Sequence, residues 1–109
     1  MRIWDLPPHK LCRQHLLGEH RELHALWNIL TLGRKGYARH PETLRWQGKL
    51  KAVYLRHQAE VQEMSERGYH HHSPLDVRLA TGKARQDEFV NQPEEQIEIL
   101  MDKGCDCKF

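Results

Sequence analysis

The amino-acid sequence predicts an all-α fold: a single small domain of two long helices followed by shorter C-terminal helices. Three observations predict it. Apolar residues near the start and in the middle of the chain recur at the spacing of an amphipathic helix. Val and Ile are scattered, and no segment alternates as a half-buried strand does. Prolines and glycines fall where helices open and close. The 109 residues suffice for one modest core.

Pro7-Pro8 suits a helix entry and Gly33 a helix end, so the first helix is placed at about residues 8–31. At ~100° per residue, Cys12, Leu16, Leu23, Leu26, Trp27 and Leu30 share its core side. Arg34 to His40 reads as a loop containing Gly36. Pro41-Glu42 opens a second helix that runs to Arg67 and stops at Gly68, with apolar positions at Leu44, Leu50, Val53, Val61 and Met64. Tyr69 to Pro74 is a loop holding His70-His71-His72. Short helical pieces are expected at Pro74 to Ala80 and Lys83 to Asn91, and an acidic helix from Pro93 to Gly104. Residues 1–104 are thus read as the domain and residues 105–109 as a frayed tail.

Composition narrows the function. No apolar run approaches the roughly 20 residues that span a bilayer. The start Met1-Arg2-Ile3-Trp4-Asp5 lacks the apolar stretch of a secretory signal. A cytoplasmic monomer with no membrane partner is expected. Three cysteines, an odd number, fit a reducing compartment without a disulfide framework. Cys105-x-Cys107 is too short for a zinc knuckle and is read as a feature of the tail. A net charge of +2 does not by itself diagnose a nucleic-acid partner.

The outward side of the first helix carries the chemistry. Gln14, Gly18, Arg21, Ala25 and Asn28 cluster there. Gly18 costs roughly 1 kcal/mol against Ala in a helix interior. With Ala25 it leaves room for a ligand, a nucleic-acid strand or another helix to approach the backbone. Glu22 and His15 stand at the border with the core, where partial burial raises a carboxylate's pKa. A second candidate is the α-amine of Met1, expected to be retained because Arg2 is large. Its reference pKa of about 7.7–8.0 leaves an appreciable neutral, nucleophilic fraction at neutral pH.

The run Gln14-His15-Leu16-Leu17-Gly18-Glu19-His20-Arg21-Glu22-Leu23, preceded by Arg2-Ile3, resembles the pyrimidine-dimer DNA glycosylases of the phage endonuclease V type. Lys49-Leu50, Arg67-Gly68-Tyr69 and Ala84-Arg85 with Asp87-Glu88 are weaker echoes of its later helices. The resemblance implies an all-helical glycosylase with abasic-site lyase activity and no cofactor. It implies an attack by the Met1 amine on the sugar of a damaged nucleotide, with Glu22 as the essential carboxylate. It implies DNA contacts from Arg2, Gln14, His15, Arg21 and Arg85, on double-stranded DNA with damaged or modified bases. Ala25 stands where the family carries a further Arg, and Pro93-Glu94-Glu95-Gln96-Ile97-Glu98 replaces a basic aromatic segment. The expected substrate is therefore a pyrimidine dimer or a related damaged or modified base.

The alternative is a non-catalytic helical module that binds DNA or a metal. His20 and His24 lie four apart and can face one ion, with a third ligand from His70, His71 or His72. His-Arg-Glu-Leu-His is not the zincin spacing. No metal site is assigned from the sequence.

Overall fold

The structure, a computed structural model, describes residues 2–71 and 73–109. Four α-helices follow one another: α1 (Arg13–Leu32), α2 (Pro41–Leu44), α3 (Leu50–Glu66) and α4 (Pro93–Asp102). Single 3₁₀ turns occupy Pro8–Lys10 and Val77–Leu79, and there is no strand among the described residues. The predicted all-α single domain is the observed fold.

The first expected helix is split. Leu11 is extended (φ −80°, ψ 138°) and Cys12 takes the N-cap position of α1. The break lets Leu11 turn into the core, where it is fully buried, while its carbonyl accepts from Arg67 Nη2 at 2.6 Å. Gly33 ends α1 in the left-handed region (φ 67°), its N–H reaching Ile29 O.

The second expected helix is also split. α2 is one turn long, capped where Glu42 N donates to His40 Nδ1 at 3.1 Å. Gly48 (φ 74°) then interrupts the chain before α3. Leu44, expected in the core, is exposed as a result. The N-terminal amides of α3 are satisfied from outside the helix: Lys51 N donates to Thr81 O at 2.8 Å and Ala52 N to Lys83 O at 3.1 Å.

That capping explains a third correction. Lys83 to Asn91, expected to be helical, is not. Lys83 O accepts from Ala52 N of α3 at 3.1 Å, Gln86 Nε2 donates to Arg45 O at 2.9 Å, and Lys49 Nζ reaches Gln86 Oε1 and Glu88 Oε1. The tail beyond α4 is packed rather than frayed. Lys108 N donates to Lys10 O at 2.8 Å, and Cys105 and Cys107 pack against buried Leu100 and its neighbours.

Two buried clusters form the core. One gathers Ile3, Leu23, Leu26, Trp27, Trp46, Ala52 and Val53. The other gathers Trp4, Leu6, Leu11, Leu16, Met64 and Leu100. The N-terminal segment joins them, because Ile3 belongs to the first and Trp4 and Leu6 to the second. It therefore runs opposite to α1. No helix among the described residues is long and apolar enough to cross a membrane.

The strap over α3 has a direct test. Gly82 has φ 82°, and a Cβ there would lie 2.1 Å from Gly48 O. Gly48 has a similar φ but open space around its Cβ position. Left-handed backbone alone costs a non-glycine residue about 1–2 kcal/mol. Gly82→Ala should therefore lower the urea midpoint clearly more than Gly48→Ala does. Equal midpoints would mean that residues 81–83 do not cap α3 in solution.

Candidate active site

The extended N-terminal segment has no neighbouring strand, so side chains satisfy its backbone. Ile3 N donates to Glu42 Oε1 at 3.1 Å, Trp4 N to Glu19 Oε1 at 2.7 Å and Asp5 N to Gln96 Oε1 at 2.8 Å. All three acceptor residues are buried. Arg45 Nη2 donates to Ile3 O at 2.9 Å, and Arg56 Nη1 to Leu6 O at 2.8 Å. The carboxylates are paired in turn: Arg45 with Glu42 and Asp5, Arg56 with Glu19.

Glu22 lies three residues beyond Glu19 on α1, on the same side of the helix and about 4.5 Å further along its axis. It is half-buried and lines a recess with Ala25, Asn28, Arg34 and Tyr37. Met1 lies outside the described residues. Arg2 is half-buried, its guanidinium 4.7 Å above the Trp4 ring and its Nη1 donating to Asn91 Oδ1 at 3.0 Å.

Gln14 and Arg21 are exposed and line one groove of ≈ 730 Å³ with Arg13 and Asp106. Arg21 and Glu22, adjacent in sequence, thus face different concavities. Gly18 sits between these surfaces, and a Cβ there would meet nothing within 4 Å. His15 is turned away from the groove's exposed residues. Its Nδ1 lies 3.1 Å from Cys12 Sγ and 3.4 Å from Cys107 Sγ, and its ring meets the Trp4 ring edge-on. Burial, then Lys103, lowers its pKa. Arg85 is exposed in the extended segment after Gly82 and makes no ion pair among the described residues.

The structure also brings together two groups of metal-ligating side chains where the sequence reading assigned none. One is Cys12, His15, Cys105 and Cys107, and the other is His20, His24, His57 and His71. The pairing of His20 with His24 was legible as an i, i+4 spacing, and His71 is one of the three loop histidines considered with it. His57 was not, since only the packing of α1 on α3 delivers it. His72 lies outside the described residues. Burial, then the positive charge of His57, His24 and His71, pushes His20 down to about 3. Burial lowers His24 and His57 as well. His20 Nδ1 lies 2.9 Å from Glu60 Oε1. Burial pushes the Cys107 thiol up to about 12.

The sequence profile of pyrimidine dimer DNA glycosylases matches residues 1–77. The chain belongs to the pyrimidine dimer DNA glycosylase family. No curated protein and no solved structure gives a match. The glycosylase match takes in the N-terminal segment, α1, α2 and α3. It stops before Asn91 and Gln96, which hold Arg2 and Asp5, and before the tail cysteines. The family implies a DNA substrate.

Gly18 distinguishes a contact face from a solvated one. Gly18→Ala should raise stability by roughly 0.5–1 kcal/mol, because the position is helical and unobstructed. The same change should weaken binding to duplex DNA if a strand lies against α1 there. Unchanged affinity in a stabilised variant would place the DNA elsewhere.

Proposed function

We propose that this chain is a DNA glycosylase with abasic-site lyase activity, in which the α-amine of Met1 is the nucleophile and Glu22 the proton-transfer carboxylate. Its substrate is duplex DNA carrying a pyrimidine dimer or a related damaged or modified base. The observation that carries this reading is the fixation of the N-terminal segment. Chain termini ordinarily fray. Here the N–H groups of three successive residues, Ile3 to Asp5, are each held by a buried side chain. Such anchoring supplies the positioning that a terminal amine needs in order to act as a nucleophile.

The steps balance without an oxidant. The neutral amine attacks C1′ of the extruded nucleotide, and the C1′–base bond breaks with its electron pair leaving on the base. The sugar ring opens as a C1′=N iminium forms, and O4′ takes a proton through Glu22. Glu22 then accepts a proton from C2′. The C3′–O bond breaks, the 3′ phosphate leaves, and the strand is nicked. Water hydrolyses the imine and frees the amine. Arg2 and Arg21 counter phosphate charge, Gln14 contacts the strand beside Arg21, and Arg85 reaches DNA from the extended segment. Cationic neighbours also favour the neutral amine, while Glu22 opposes that effect. His15 is engaged by the cysteines and contributes through the order of the first turn of α1.

Borohydride trapping on an abasic-site duplex should give a covalent adduct that mass spectrometry maps to the α-amine of Met1. No adduct, with the N-terminus verified free, would leave a DNA-binding module without lyase chemistry. Glu22→Gln should slow nicking by about 10²–10⁴-fold, the usual contribution of a positioned acid–base group, with the circular dichroism unchanged. Arg21→Ala should weaken duplex binding and reduce the salt slope by about one. An unaltered slope would remove Arg21 from the phosphate contacts.

A further inference from the structure

Cys12, His15, Cys105 and Cys107 meet where the start of α1 receives the C-terminal tail, and one ligand atom of each lies within 4.8 Å of the other three. Two different local geometries deliver them. Cys12 and His15 are three apart at a helix start and share a face. Cys105 and Cys107 are two apart in the non-helical tail that follows α4. Gly104, at φ 65°, turns the chain out of α4 into that tail. Cys12 Sγ lies 3.1 Å from His15 Nδ1, and Cys107 Sγ lies 3.4 Å from the same nitrogen. Zinc–sulfur and zinc–nitrogen bonds of ordinary length place tetrahedral ligands about 3.5–3.8 Å apart. These two sulfur–nitrogen separations lie within about 0.5 Å of that spacing, and every other pair is within 4.8 Å. Cys12 N–H also donates to Cys107 Sγ at 3.1 Å, a contact that favours the thiolate. All three cysteines are free. Three thiolates and an imidazole are a soft donor set that suits zinc.

We propose that Cys12, His15, Cys105 and Cys107 bind one structural zinc ion that fastens the C-terminal tail to the first turn of α1. Four protein ligands close the coordination sphere, so the ion organises the fold and does no chemistry. The tail so fastened forms one wall of the groove that Gln14 and Arg21 line.

Different observations carry a second centre, which we infer at His20, His24, His57 and His71. Four imidazole nitrogens lie within 4.8 Å of one another, with His20 Nε2 and His24 Nε2 3.2 Å apart. The Nδ1 of His20 is held by the buried Glu60 carboxylate at 2.9 Å, and that of His57 faces Gln58 Oε1 at 2.8 Å. Partners of this kind fix the tautomer that offers Nε2 to a metal. His57 is 1% exposed, and its Nε2 has no hydrogen-bond partner among the described residues. A buried nitrogen left so is costly, and a divalent ion among the four rings satisfies it. Imidazole donors suit zinc and its neighbours in the first transition row.

Metal analysis of the full chain, produced with added zinc under reducing conditions and then desalted, tests both sites. Two zinc ions per chain are expected. A mercurial thiol reagent should release one of them and leave the other. The Cys105→Ser/Cys107→Ser variant should retain one, and His24→Ala/His71→Ala should retain the thiolate-bound one. Cobalt(II) added to the metal-free wild-type chain should give a thiolate-to-cobalt charge-transfer band. That band decides the cysteine site even where a variant fails to fold: its absence overturns the site, as does a Cys12–Cys107 disulfide in freshly reduced protein. Zinc content in the folded wild-type chain that falls to zero after the thiol reagent would overturn the four-histidine site.

Discussion

The structure depends on how an unpaired extended segment is buried. Residues 2–6 pass through the interior beside α1 without a strand partner, and buried amides and carbonyls must nevertheless be satisfied. Glu19, Glu42 and Gln96 take the N–H groups, and Arg45 and Arg56 take carbonyls. Each charged member needs a counter-charge, which is why Arg45 sits between Glu42 and Asp5 and Arg56 between Glu19 and Glu60. Ion pairs of this kind add little net stability over well-packed apolar residues. Their effect here is register. A one-residue slip of the segment would leave several buried charges without partners at once.

α1 was legible in the sequence because one face obeys the 3.6-residue repeat, and Leu16, Leu23, Leu26 and Trp27 are buried as that repeat requires. The body and C-terminal end of α3 were legible through Val53, Val61, Met64 and Gly68, and α4 through Pro93 and Gly104. What escaped was set by tertiary contacts. The break at 45–49 follows from Arg45 and Lys49 turning inward to distant acceptors, among them the carbonyls of Ile3 and Glu88. The non-helical course of 83–91 follows from distant partners that no local pattern reveals: Lys83 O takes an α3 amide, and Gln86 and Glu88 meet Arg45 and Lys49. In the candidate site, Gln14 and Arg21 could be singled out from the outward face of one helix, and Glu22 from its border with the core. The residues that hold the N-terminal segment could not, because only the tertiary fold buries Glu19 and Glu42 against it.

A continuous polar path crosses the interior. Trp4 N is bonded to Glu19, Glu19 to Arg56, Arg56 approaches Glu60 at 3.5 Å, and Glu60 accepts from His20. The N-terminal segment and the four-histidine cluster are thus opposite ends of one network built on α1 and α3. A chain of 109 residues has a small apolar core, and much of this interior is polar. Cross-links outside that core, such as metal sites, are the usual means by which domains of limited size hold a single geometry.

The acidic α4 looks at first unsuited to a DNA-binding protein. Its position resolves the conflict. Glu94 and Glu95 occupy the first helical turn, where the positive end of the helix dipole favours carboxylates, and Glu95 Oε1 accepts from Gln92 N at 3.1 Å. The opposite face of the same helix carries Gln96, which holds both the amide and the carboxylate of Asp5. Asn91, just before the helix, holds Arg2. The acidic residues therefore stabilise the element that locks the chain's first residues in register. In this molecule the C-terminal third is a scaffold for the N-terminal segment, and its acidic residues serve that packing.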